Sequence, residues 1–139
     1  MKSSIILTIL IGFIFTNEIY AQLFEKHDKV TNSTSIGIII YTNDPETVWN
    51  AMRLANYSKS KGDTVNIFLL GKGVELDNMA ITDKNIKEQT DQFLDGGGSI
   101  LGCGTCLHNR KNDNPQVCKF SSLKDLYELI RNNRTVLTF

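Results

Sequence analysis

Two kinds of apolar spacing alternate along the chain. The first is the unbroken run, seen in IGIIIYT (Ile36 to Thr42) and TVNIFLL (Thr64 to Leu70). Both are rich in β-branched residues, the composition of a strand buried on both faces in a parallel sheet. SILGC (Ser99 to Cys103) and TVLTF (Thr135 to Phe139) are shorter runs of the same kind. The second spacing is helical. Val48, Ala51, Met52 and Ala55 fall on one face of a segment that Asp44 can cap, Pro45 can begin and Gly62 can stop. KNIKEQTDQFLDGGG (Lys84 to Gly98) turns Ile86, Phe93 and Leu94 inward and ends at Gly96. SSLKDLYELIRNN (Ser121 to Asn133) carries Leu123, Leu126, Tyr127 and Ile130 as its expected core stripe. Between these, GKGVELDNMAITD reads as a loop or short helix, and GTCLHNRKNDNPQVCKF as a turn of helix followed by loop. Strands and helices alternating at these lengths predict an α/β domain. The expected architecture is a three-layer α/β/α sandwich on a mostly parallel sheet of about five strands. No internal repeat or long linker divides residues 36–139.

The first residues follow a different pattern. Lys2 supplies a positive start, Ile5 to Phe15 is continuously apolar, and TNEIYA ends in the small residue Ala21. This is the layout of a secretory signal peptide over residues 1–21, with an apolar part too short to span a bilayer. The mature chain is expected to begin at Gln22, to be periplasmic or secreted, and to carry no stable membrane anchor. Residues 22–35 read as a polar leader without clear period.

Composition adds exclusions more than assignments. The chain has 139 residues, enough for one domain with a single core. Its 15 Lys and Arg balance its 15 Asp and Glu, interspersed along the chain, so no basic footprint argues for nucleic acid.

Export changes how the three cysteines are read, because disulfides persist outside the cytoplasm and three thiols cannot all pair within one chain. Cys103 and Cys106 lie together in GSILGCGTCL, at the end of an expected strand and the start of an expected helix turn. In open parallel sheets the carboxyl edge is where ligands and reactive groups gather. YTNDPE, GKGVE and GCGTC all arrive there. A helix amino terminus lowers a thiol pKa, so Cys103 is the expected thiolate nucleophile, with Cys106 one helical turn on. Gly102 and Gly104 are expected to leave room for an incoming group, and Asn43 and Lys72 to face the same substrate. Cys103, Cys106, His108 and Cys118 do not have the spacing of a standard structural zinc site, so no metal is expected. GKG lacks the frame of a phosphate-binding loop, and no cofactor is called for. Trp49 fits a core or subunit-contact position.

The segments IGIIIYTNDPETVWNAMRLANYSKSKGDTVNIFLLGKGVE, KEQTDQFLDGGGSILGCGTC, SSLKDLYELI and TVLTF together resemble the DsrE/DsrF-like sulfur-relay family, from about Ile36 to Phe139. The most specific pieces are N-D-P-E-T, L-L-G-K-G-V-E and C-G-T-C. The resemblance implies a parallel-sheet sandwich that assembles into homotrimers or homohexamers. It also implies a cysteine, here Cys103, that holds sulfur as a persulfide between donor and acceptor proteins. This chain departs from the family in its export-type leader and in the second thiol, Cys106. The expected function is therefore sulfane-sulfur transfer on Cys103. The alternatives are a non-catalytic binding or assembly module with structural cysteines, or a dithiol oxidoreductase.

Overall fold

Chain order alone places the helices on the two faces of the sheet. The computed structural model describes residues 33–139. The expected signal peptide and nearly all of the polar leader lie outside the described residues. Strands β1 (Ser35–Ile40), β2 (Thr64–Leu69), β3 (Ile100–Cys103), β4 (Lys119–Ser121) and β5 (Thr135–Thr138) form one sheet in the order β4-β3-β2-β1-β5. Every pairing is parallel, with Ile38 opposite Ile67 and Leu137, and Leu69 opposite Gly102. From β1 to β4 the sheet grows in one direction, so right-handed crossovers put the connecting helices on one face. These are α1 (Pro45–Ser60), α2 (Leu76–Thr82), α3 (Lys84–Asp95) and α4 (Gly104–Asn109). The last connection runs back across the sheet to β5, which places its helix α5 (Leu123–Asn132) on the opposite face. The three-layer sandwich on a five-stranded parallel sheet is as the apolar pattern predicts.

The local signals act as their chemistry dictates. Asp44 accepts the Thr47 N–H at 2.8 Å as the cap of α1, Pro45 follows, and Gly62 takes φ +95° just beyond the helix. Asp83 caps α3 by accepting from the Asn85 and Ile86 N–H groups. Ile38, Ile40, Ile67, Phe68, Leu69 and Ile100 are fully buried in the sheet, with Val48, Ala51 and Met52 of α1 and Ile86 and Phe93 of α3 equally buried above it. Phe68, Phe93 and Met52 are among the largest side chains in this core.

Two elements depart from the apolar pattern. β4 is a three-residue strand inside a polar stretch; it exists because Lys119, Phe120 and Ser121 pair with Leu101, Gly102 and Cys103. In α5 the expected stripe is turned outward. Leu123, Tyr127 and Ile130 are 72%, 63% and 46% exposed, Leu126 is partly buried, and Leu129 is the residue driven into the sheet. Gly37 explains the rotation, since a Cβ there would stand 2.5 Å from the Leu129 side chain. The missing side chain on β1 is the socket for Leu129.

Candidate functional site

The three segments expected at the carboxyl edge meet there. β3 ends at Cys103, which also precedes the first turn of α4. The thiol is 8% exposed. The groups that act on its thiol are the Cys106 side chain and the backbone N–H groups of Cys106 and Thr105. Burial pushes the Cys103 thiol up, the neighbouring Cys106 side chain pushes it further, and the backbone N–H groups of Cys106 and Thr105 do not offset this. The expected low-pKa thiolate is thus corrected. α4 has only six residues, too short a stack of peptide dipoles to outweigh the desolvation of a buried sulfur.

Cys106 is half-buried and held from two sides. The backbone N–H of Gly71, which opens the 3-10 turn after β2, donates to its Sγ at 3.3 Å. Its carbonyl accepts from Arg110 Nη1 at 3.2 Å, and Arg110 Nε donates to Glu75 Oε1 at 2.9 Å. The other carboxylate oxygen of Glu75 accepts from Asn43 Nδ2 at 2.8 Å. Glu75 therefore ties the loop after β1, the 3-10 turn Gly71–Glu75 after β2 and the end of α4 into one frame. The Arg110 hydrogen bond, then that of Asn43, holds the Glu75 carboxyl below its ordinary range, and the charges of Arg110 and Lys72 add to this.

The expected substrate positions fall in several places. Asn43 is at the edge, but its amide is engaged by Glu75. Lys72 is exposed, and its charge acts on Glu75. Gly102 and Gly104 face packed neighbours in place of the open room expected for a substrate. A Cβ on Gly102 would come within 2.7 Å of Cys118 Sγ, and one on Gly104 within 3.2 Å of the Ser121 carbonyl. Both glycines let β4 and its preceding loop close against β3. Glu75 and Arg110 were not singled out by sequence reasoning. Arg110 lies one helical turn beyond Cys106, and that spacing was the one available signal.

The profile of the DsrE/DsrF-like family matches residues 35–139. The chain belongs to this family. A solved structure of a conserved protein of unknown function from Bacteroides thetaiotaomicron matches with a TM-score of 0.64 at 24% identity, over 76% of this chain and 95% of that one. That likeness concerns the fold alone. Among curated proteins nothing matches the chain.

In this DsrE/DsrF-like chain all three cysteines are free thiols, and Cys118 stands apart from the pair. It is buried against Gly102, and burial, with the charge of Asp77, pushes its thiol up to about 12. Asp77 is itself buried and accepts the N–H groups of Gln116 at 2.6 Å and Val117 at 2.8 Å, fixing the loop that leads into β4. His108 is exposed and its ring meets Asp113 at 3.2 Å. Among the described residues no three His, Cys, Asp or Glu side chains converge as a metal site would require. Trp49 is half-buried against the core, with the Arg53 guanidinium 4.3 Å from its ring centre.

Proposed function

We propose that this DsrE/DsrF-like protein is exported and carries sulfane sulfur as a persulfide on Cys103. The observation that supports the reading is the place of that residue: it sits at the carboxyl end of β3, sheltered from solvent, where the first turn of α4 begins and a second thiol follows one turn on. Backbone N–H groups of such a turn stabilise negative charge on a terminal sulfur, and shelter slows its loss to stray reductants. In loading, Cys103 sulfur attacks the outer sulfur of a donor persulfide. The donor S–S bond breaks, the donor leaves as a thiol carrying the Cys103 proton, and Cys103–S–S⁻ remains. Discharge repeats the exchange: an acceptor thiolate takes the outer sulfur and Cys103 leaves as a thiolate. Neither step needs an oxidant. Attack by Cys106 on the inner sulfur would instead release hydrosulfide and leave a Cys103–Cys106 disulfide, which an external dithiol must reduce.

The family resemblance further supports a homotrimer or homohexamer, and the outward row Leu123, Tyr127 and Ile130 on α5 provides apolar surface for such contacts. Intact mass measurement of protein incubated with a persulfide donor tests the main reading. A gain of one sulfur, removed by reductant and mapped to Cys103, is the expected result; no gain overturns it. The closeness of Cys103 and Cys106 at the start of α4 favours one second reading, a dithiol oxidoreductase. That protein would lose two hydrogens on mild oxidation and gain no sulfur.

A further inference from the structure

The two thiols of the pair are not equivalent, and their differences point in one direction. Cys106 is half-buried whereas Cys103 is almost fully enclosed. The Gly71 N–H is aimed at Cys106 Sγ at 3.3 Å, so a backbone donor from another segment fixes where the more accessible sulfur points. The frame made by Asn43, Glu75 and Arg110 grips the Cys106 carbonyl, so the position of this residue is set by three separate segments. Cys106 lies one helical turn beyond Cys103, and its side chain is near enough to act on the Cys103 thiol.

We infer that Cys106 is the entry thiol: sulfur is accepted first on Cys106 at the mouth of the site and is then relayed inward to Cys103. The inference rests on the persulfide reading above and gives its pair an order: the donor persulfide that loads Cys103 is the one first formed on Cys106. In the first step Cys106 thiolate attacks the outer sulfur of the donor, whose thiolate leaves, giving Cys106–S–S⁻. In the second, Cys103 sulfur attacks that outer sulfur, the Cys106 S–S bond breaks, and the Cys103 proton passes to the departing Cys106 sulfur. The products are Cys103–S–S⁻ and Cys106–SH, with no net oxidation. Glu75 acts as a positioning residue, since it reaches the sulfurs only through Arg110 and the turn that begins at Gly71.

The test uses the full mature chain, reduced, with two probes. With limiting iodoacetamide near neutral pH, peptide mapping should find Cys106 alkylated before Cys103; Cys103 labelled first overturns the inference whatever the fate of sulfur transfer. With glutathione persulfide as donor, Cys103→Ser should accumulate sulfur on Cys106, and Cys106→Ser should load Cys103 roughly tenfold or more slowly than wild type. Loading of Cys103 in Cys106→Ser at the wild-type rate overturns the relay. Glu75→Ala should slow alkylation of Cys106 while Cys118 stays protected. Simultaneous exposure of Cys118 would mean that the variant loosens the whole edge and that Glu75 has no positioning role. If wild type takes up no sulfur at all, the persulfide reading fails, and the alkylation order still decides which thiol is the point of entry.

Discussion

The backbone N–H of Gly71 donates to Cys106 Sγ at 3.3 Å, so the turn that leaves β2 and the helix that leaves β3 share a hydrogen bond at sulfur. That contact depends on how closely the turn lies to β1. A Cβ built on Gly73 would stand 1.9 Å from the Ile40 carbonyl oxygen, a backbone atom that cannot yield. Gly73→Ala should therefore push the turn off the sheet, at a cost of about 2 kcal/mol or more from overpacking. Chemical denaturation should show the lost stability, and slower alkylation of Cys106 should report loss of the Gly71 contact. Wild-type stability in this variant would disprove the close approach.

Glu75 should make the protein acid-sensitive in a narrow window. Its carboxyl is held below the ordinary value of 4.5, so its stabilising contribution is present above that pH and is lost as pH falls through the lowered folded value. The pair with Arg110 is about one-third exposed, which limits the contribution to about 1 kcal/mol. Asp44 and Asp125 are lowered too, so the informative quantity is the difference between wild type and Glu75→Gln. That difference should shrink as pH drops below 4.5. A difference independent of pH would show that the carboxylate charge is not what stabilises the frame.

Cys118 predicts the opposite limb. Its folded value of about 12 lies above the ordinary 9.0. Both states keep the proton below pH 9.0; above it only the unfolded chain ionises this thiol, so stability falls as pH rises towards 12. The slope from this one group is about 1.4 kcal/mol per pH unit. Cys118→Ala should unfold more readily at neutral pH, having lost a buried sulfur, yet lose less stability than wild type between pH 9 and 11. Equal alkaline slopes in the two proteins would contradict the buried neutral thiol.

The outward row on α5 predicts the state of assembly. Light scattering of the wild-type protein should give a trimer or hexamer. Replacing Leu123 and Tyr127 together by Glu should shift it to smaller species with unchanged circular dichroism, because both side chains are exposed in the single chain. A wild-type monomer over a wide concentration range would count decisively against the homo-oligomer.

Much of the fold is written in local pattern. The β-branched runs of β1 and β2 require burial on both faces, and Asp44, Pro45 and Gly62 bound α1 through backbone constraints that need no tertiary partner. The same local logic placed Cys103 at a strand end and Cys106 one turn on. Other features arise only when distant segments meet. β4 has no apolar pattern of its own and is a strand because β3 offers it an edge. In α5, apolar residues lie on more than one side; the hole left by Gly37, far away in sequence, selects Leu129 and leaves Leu123, Tyr127 and Ile130 outside. Thiol chemistry follows the same division. Residue type and spacing revealed that two sulfurs stand together, but acidity depends on desolvation and on donors from other segments. Only the packed structure could decide that Cys103 is the enclosed thiol and that Gly71, Glu75 and Arg110 converge on Cys106.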